Sequence, residues 1–160
     1  MLKSNPHAGY ECTMKVSLVW SSPKPEKTIA IAMRRCYSTK VIEDIEAELE
    51  QKGAEYWKYL LIKCLQDKSL DVFEHFTMSL LVEGVDEVEV SGLVCRFPYI
   101  HATRLCQGDW LFSVNARTLV ELWRDREGKP FAESIVAELD KREVSPIFNE
   151  LAFGDRAHAH

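Results

Sequence analysis

Residues 110–126 read WLFSVNARTLVELWRDR. The run WLFSVNA (110–116) alternates as a half-buried strand does, and from Arg117 onward the apolar spacing becomes that of a helix. Asn115 sits at the N-cap position, where its side-chain oxygen accepts a bond from a free N–H of the first helical turn. Arg117 falls in that first turn, with Glu121 four residues on. This is the weaker orientation of such a pair, and a cation is unfavourable at a helix N-terminus. Helix stability alone therefore does not account for Arg117, and an anionic partner is expected. Arg126 is three residues from Trp123, four from Leu122 and seven from Leu119, so the spacing predicts that it lies along the apolar stripe. Two readings stay open for it. Its stem covers the core edge while its head meets water at the helix end, or its guanidinium is held in a cleft for bidentate phosphate binding.

Working outward, MKVSLVW (14–20) reads as a strand with Val16, Leu18 and Trp20 on one face. A turn at 21–27 leads into a helix that ends near Tyr37, with Arg34 and Arg35 as solvated cations of its last turn. An amphipathic helix follows over 41–52, ended by Gly53, and another over 54–66. The strand FTMSLLVEG (76–84) places Phe76, Met78, Leu80 and Val82 together. Adjacent residues at a strand entry face opposite sides, so Glu74 and His75 are not expected to pair, and His75 is expected to make a structural hydrogen bond. Residues 85–97 fit strand or helix, and 98–109 read as loop. Helices are predicted over 130–142, with Pro130 in the first turn, and over 145–153. This pattern is α+β: a small central sheet of three to four strands packed with helices. A single domain is expected over 14–153, with a disordered tail at 1–13 and a polar tail at 154–160.

The chain of 160 residues is 46% hydrophobic and 28% charged, with a net charge of −5. No long-range field favours nucleic acid or an anionic membrane, although local arginine clusters can still hold phosphate. No apolar run is long enough to span a bilayer, and no secretory h-region is visible in the first 13 residues. The five cysteines are widely spaced and odd in number, as expected for reduced thiols in the cytoplasm. Cys95, His101 and Cys106 are spaced too loosely for paired zinc ligands, so no metal is expected.

Four stretches in order resemble the flavin-dependent thymidylate synthases: MKVSLVW with IAIAMRRCYST, SLDVFEHFTMSLLVEGV, WLFSVNARTLVELWRDR and SPIF. The resemblance implies that family's α+β fold and a homotetramer with active sites at subunit interfaces. It implies reductive methylation of dUMP to dTMP with methylene-tetrahydrofolate, FAD and NADPH. By this resemblance Asn115 and Arg117 fall on flavin-contacting positions, and Arg126 on the arginine that holds the dUMP phosphate. Ser69 stands where the family has a flavin-facing histidine, and Glu121 where it has an amide that contacts flavin. Cys95, Arg96 and Phe97 occupy the positions of the Arg-His-Arg signature, which leaves Arg96 as its one basic residue. No serine follows before Ser113, and Arg104 precedes the next strand as a family substrate arginine does. With the signature reduced, impaired or lost catalysis is expected, and no catalytic residue is assigned. The alternative is a non-catalytic nucleotide- or flavin-binding oligomeric scaffold.

Overall fold

The computed structural model describes residues 14–154; the expectations for 1–13 and for 155–160 lie outside it. The order of elements is β1 (Lys15–Ser21), α1 (Pro25–Cys36), α2 (Ile42–Gln66), a 3-10 segment (Leu70–His75), β2 (Thr77–Glu83), α3 (Glu87–Arg96), β3 (His101–Arg104), β4 (Trp110–Asn115), α4 (Ala116–Arg124), α5 (Lys129–Lys141) and α6 (Pro146–Phe153). The architecture is α+β, as the alternation of patterns predicts. The strands form one antiparallel sheet in the order β1–β2–β4–β3.

β2 holds the sheet together because its alternation is strict. Met78, Leu80 and Val82 are buried, as are Phe112 and Val114 opposite them on β4. Phe76 precedes β2 and is buried with Phe73 and Phe148. The other sheet face carries Ser79, Leu81, Leu111 and Ser113, of which Leu111 and Ser113 are exposed. α1, α2 and α4 to α6 supply most of the remaining core, including Ile29, Leu49, Leu61, Leu119, Ile135 and Phe153.

β1 departs from its pattern. The register shifts by one residue between Leu18 and Trp20, so Leu18 pairs with Leu80 but Trp20 pairs with Ser79. The extra residue, Val19, is a β-bulge and turns Trp20 to the outer face, where it is 52% exposed. Val16, Leu18 and Trp20 therefore do not share a face, because the period of two is broken between them. At the bulge the Leu18 N–H donates to the buried Glu138 carboxylate of α5 (3.2 Å).

Two other elements differ from the sequence reading. Within 98–109 the chain forms β3, which pairs with β4. This edge strand of four residues has only Ala102 turned inward, so it carries no apolar alternation. The ambiguous 85–97 is helical. Asp86 accepts from Val88 and Glu89 N–H while Glu89 reaches back to the Asp86 N–H, a full capping box. The helix break at Gly53 is present, with φ 73 and ψ −173 inside α2. Trp57 Nε1 donates across it to the Leu49 carbonyl (2.9 Å).

Candidate functional site

The β4–α4 junction forms as its residues predict. The Asn115 side chain accepts from the Thr118 N–H (2.8 Å) and so caps α4, while the Ala116 N–H donates to the Phe76 carbonyl (2.8 Å). This fixes the first turn of α4 against the 3-10 segment, and Arg117 projects beside it. Arg117 donates to Glu121 (3.1 Å), its partner four residues on, and to Glu74 of the 3-10 segment (2.6 Å). Its guanidinium also lies 5.5 Å from the centre of the Tyr99 ring. Bonding to Glu121, then to Glu74, raises its pKa further and keeps it charged. The long-range partner Glu74 answers the question that Arg117 raises: an anion does sit at this helix start, and the chain supplies it.

A second cluster lies at the end of α3. Arg96 donates to Asp125 (2.5 Å) and to Glu127. Asp125 is itself fixed by accepting from the N–H groups of Gly128 (2.6 Å) and Glu127 (3.0 Å). The Gly128 bond and then Arg96 hold the Asp125 carboxyl below the usual carboxylate range, against desolvation. Arg96 and Glu127 stand on the rim of a cleft of about 430 Å³ whose apolar wall includes Met14, Val85, Leu93 and Phe131.

The remaining predicted residues are scattered. Arg126 does not lie on the apolar stripe of α4. The helix ends at Arg124 because Asp125 turns to extended backbone and its carboxylate captures the next free N–H groups. Arg126 is exposed in the turn between α4 and α5. Arg104 is exposed on β3, bonded to Glu87 (3.2 Å) and 6.0 Å from the Trp110 ring centre. Ser69 precedes the 3-10 segment and lines a small hollow with Cys36, Tyr37 and Asp71. Glu74 pairs with Arg117 rather than His75; the His75 carbonyl accepts from Ser22 Oγ (3.3 Å) while its side chain is exposed. Cys95 and Cys106 are exposed, and no group of three potential metal ligands occurs among the described residues.

The structure thus joins Asn115, Arg117 and Glu121 in one cluster and puts Arg96 in another. Glu74 and Tyr99 were missed in the sequence as partners of Arg117. Glu74 is 43 residues away, and no local signal marks the contact. Asp86 with Glu89 was a readable helix start.

Fold and junction together define a small α+β protein with one carboxylate-paired arginine, Arg117, where β4 hands over to α4. Comparison with known families makes the relationship specific. The family described as thymidylate synthase complementing protein matches residues 17–94, a partial domain, so this stretch of the chain is similar to that family. None of the curated proteins matches the chain. The matched stretch runs from β1 into α3 and includes Ser69 and Glu74; it stops before Arg96, Arg104, Asn115, Arg117, Glu121 and Arg126.

A flavin dinucleotide carries two phosphates, and its binding needs unspent positive charge and donors. Arg117 and Arg96, the arginines that the resemblance assigns to flavin binding, do not fit that demand. Arg117 faces two carboxylates, Glu74 and Glu121, and Arg96 faces two, Asp125 and Glu127. Each cluster is one charge negative before any ligand arrives.

Proposed function

We propose that the chain is a diverged flavin-dependent thymidylate synthase-like protein in which the reductive methylation of dUMP to dTMP is lost or severely impaired. One observation carries this reading: Arg117 and Arg96, which the resemblance would assign to flavin binding, are each paired with two carboxylates of the same chain. In the family reaction FAD supplies the redox chemistry. Here Asn115 is committed to capping α4, and Glu121 sets an anion where the family has an amide. Arg126 and Arg104 are exposed, so a dUMP phosphate held by them gains little from a desolvated, preorganised site. The protein is expected to work without crossing a membrane, as a homo-oligomer in the cytoplasm. Among the described residues no helix is long and apolar enough to span a bilayer.

The test is dTMP formation from dUMP with methylene-tetrahydrofolate, FAD and NADPH. The reading expects no product above a protein-free control. Repeated turnover overturns it.

A second reading, a non-catalytic nucleotide- or flavin-binding oligomeric scaffold, is favoured by the cleft beside Arg96. Its volume of about 430 Å³ is within the ~300–1,000 Å³ usual for small-molecule sites. Gly92 lines it, and a Cβ added there meets nothing within 4 Å. Gly92→Phe is expected to fill the cleft and abolish nucleotide binding with the fold intact. Binding that survives Gly92→Phe excludes this cleft.

A further inference from the structure

The groove between the end of α1 and the second half of α2 takes no part in either arginine cluster. We propose that it binds a single aromatic ring bearing an anionic group, such as an aryl phosphate or aromatic carboxylate. Arg34, Tyr37, Tyr56, Tyr59 and Lys63 line it, over a floor that includes Met33. Three tyrosines and two cations around one hollow supply what such a ligand needs: ring faces for stacking, and donors for its charge.

The rings are available. Tyr37 is 75% exposed and Tyr59 56%, so neither is packed away in the core. Tyr56 and Tyr59 stack with centres 6.1 Å apart and planes 18° apart, which orders that wall. Lys52 lies 4.2 Å from the Tyr56 ring centre and covers that ring, so Tyr37 and Tyr59 remain for a ligand.

The charge is also available, and here the groove contrasts with the two arginine clusters. Glu48 is met by Arg34 (3.3 Å), Lys40 (3.0 Å) and Lys52 (2.8 Å). Three cations around one carboxylate leave an excess of two positive charges beside the groove. Arg34 is therefore not a simple solvated cation of its helix end. It uses one terminal nitrogen on Glu48, and its other terminal nitrogen has no partner among the described residues. Lys63 has no ion-pair partner among the described residues either. The groove is thus an electropositive, aromatic hollow on a chain whose net charge is −5. Its volume of about 210 Å³ falls below the ~300–1,000 Å³ of sites for larger ligands and suits one ring.

This inference stands apart from the thymidylate synthase reading, and neither fails with the other. The test follows the backbone amides of the full chain by two-dimensional NMR as phenyl phosphate or benzoate is added. Saturable shifts centred on Tyr37, Tyr59 and Lys63 are expected. Benzyl alcohol, which lacks the charge, and inorganic phosphate, which lacks the ring, are expected to bind at least about tenfold more weakly. Tyr59→Ala and Lys63→Gln, both at exposed positions, are each expected to weaken binding about tenfold, the scale of one ring stack or one charge-assisted bond. Their urea midpoints should match the parent's. Absent saturation, shifts centred on Arg117 or Arg96 instead, or phosphate binding as well as phenyl phosphate overturns the proposal.

Discussion

Glu138 links the bulged strand to the helical layer, and its removal has a worked consequence. The carboxylate is 8% exposed. It accepts from the Leu18 N–H (3.2 Å) and from Arg142 Nε (2.7 Å), and Lys141 lies 3.6 Å away. In Glu138→Ala the Leu18 N–H, at a buried bulge, has no acceptor. An unmet buried donor costs about 1–3 kcal/mol. The Arg142 pair adds less than about 1 kcal/mol, because that side chain is half-exposed and screened. A loss of about 2 kcal/mol is expected, and about 1 kcal/mol for Glu138→Gln, which keeps an acceptor. Urea denaturation at pH 7 measures it as a lower midpoint with an unchanged slope. Acid titration adds a second check. Burial opposes ionisation of Glu138, but the Leu18 N–H, Arg142 and Lys141 outweigh it and hold the pKa below its ordinary value of 4.5. A carboxylate with a depressed folded pKa contributes fully above its unfolded value and loses that contribution as pH falls through the folded value. The gap between parent and Glu138→Ala must therefore narrow on acidification below the ordinary carboxylate range. A difference within about 0.5 kcal/mol at pH 7, or a gap that widens in acid, refutes the reasoning.

Other outcomes follow from the same structure. Asn115→Ala removes the cap on α4 and should cost about 1 kcal/mol by urea denaturation. Phe112→Ala, at a fully buried position, should cost about 3–5 kcal/mol, whereas Leu111→Ser on the open face should stay within about 0.5 kcal/mol; equal effects would mean the sheet faces are misassigned. Burial pushes the Cys64 thiol up to about 11, so at pH 8 a thiol reagent followed by mass spectrometry should label exposed Cys36, Cys95 and Cys106 and spare Cys64 until the chain unfolds. Light scattering should give a mass above the monomer's; a monomer at high concentration removes the oligomer from the proposal.

The sequence was most legible where one period ran unbroken. β2 shows its buried face in four alternating apolar residues, Phe76 to Val82, and the Asn115 cap was readable because capping is a local bond. Reading failed where one residue changed the period. Val19 bulged and turned Trp20 outward; Asp125 took the N–H groups beyond it and ended α4 before Arg126. β3 was hidden because an edge strand needs little apolar surface, and His-Ala-Thr-Arg offers only Ala102. The partners of the site arginines were invisible for a different reason. Glu74 with Arg117, and Arg96 with Asp125, meet only through the tertiary fold, across 43 and 29 residues.

The central claim is that the chain's own carboxylates neutralise Arg117 and Arg96, which the proposed relationship would set against a flavin. Equilibrium titration of the purified full chain with FAD, followed by flavin fluorescence with and without dUMP, tests it most directly. The account predicts no saturable binding up to millimolar FAD and no response to dUMP. Saturable binding well below that concentration, weakened by Arg117→Ala and altered by dUMP, would contradict it.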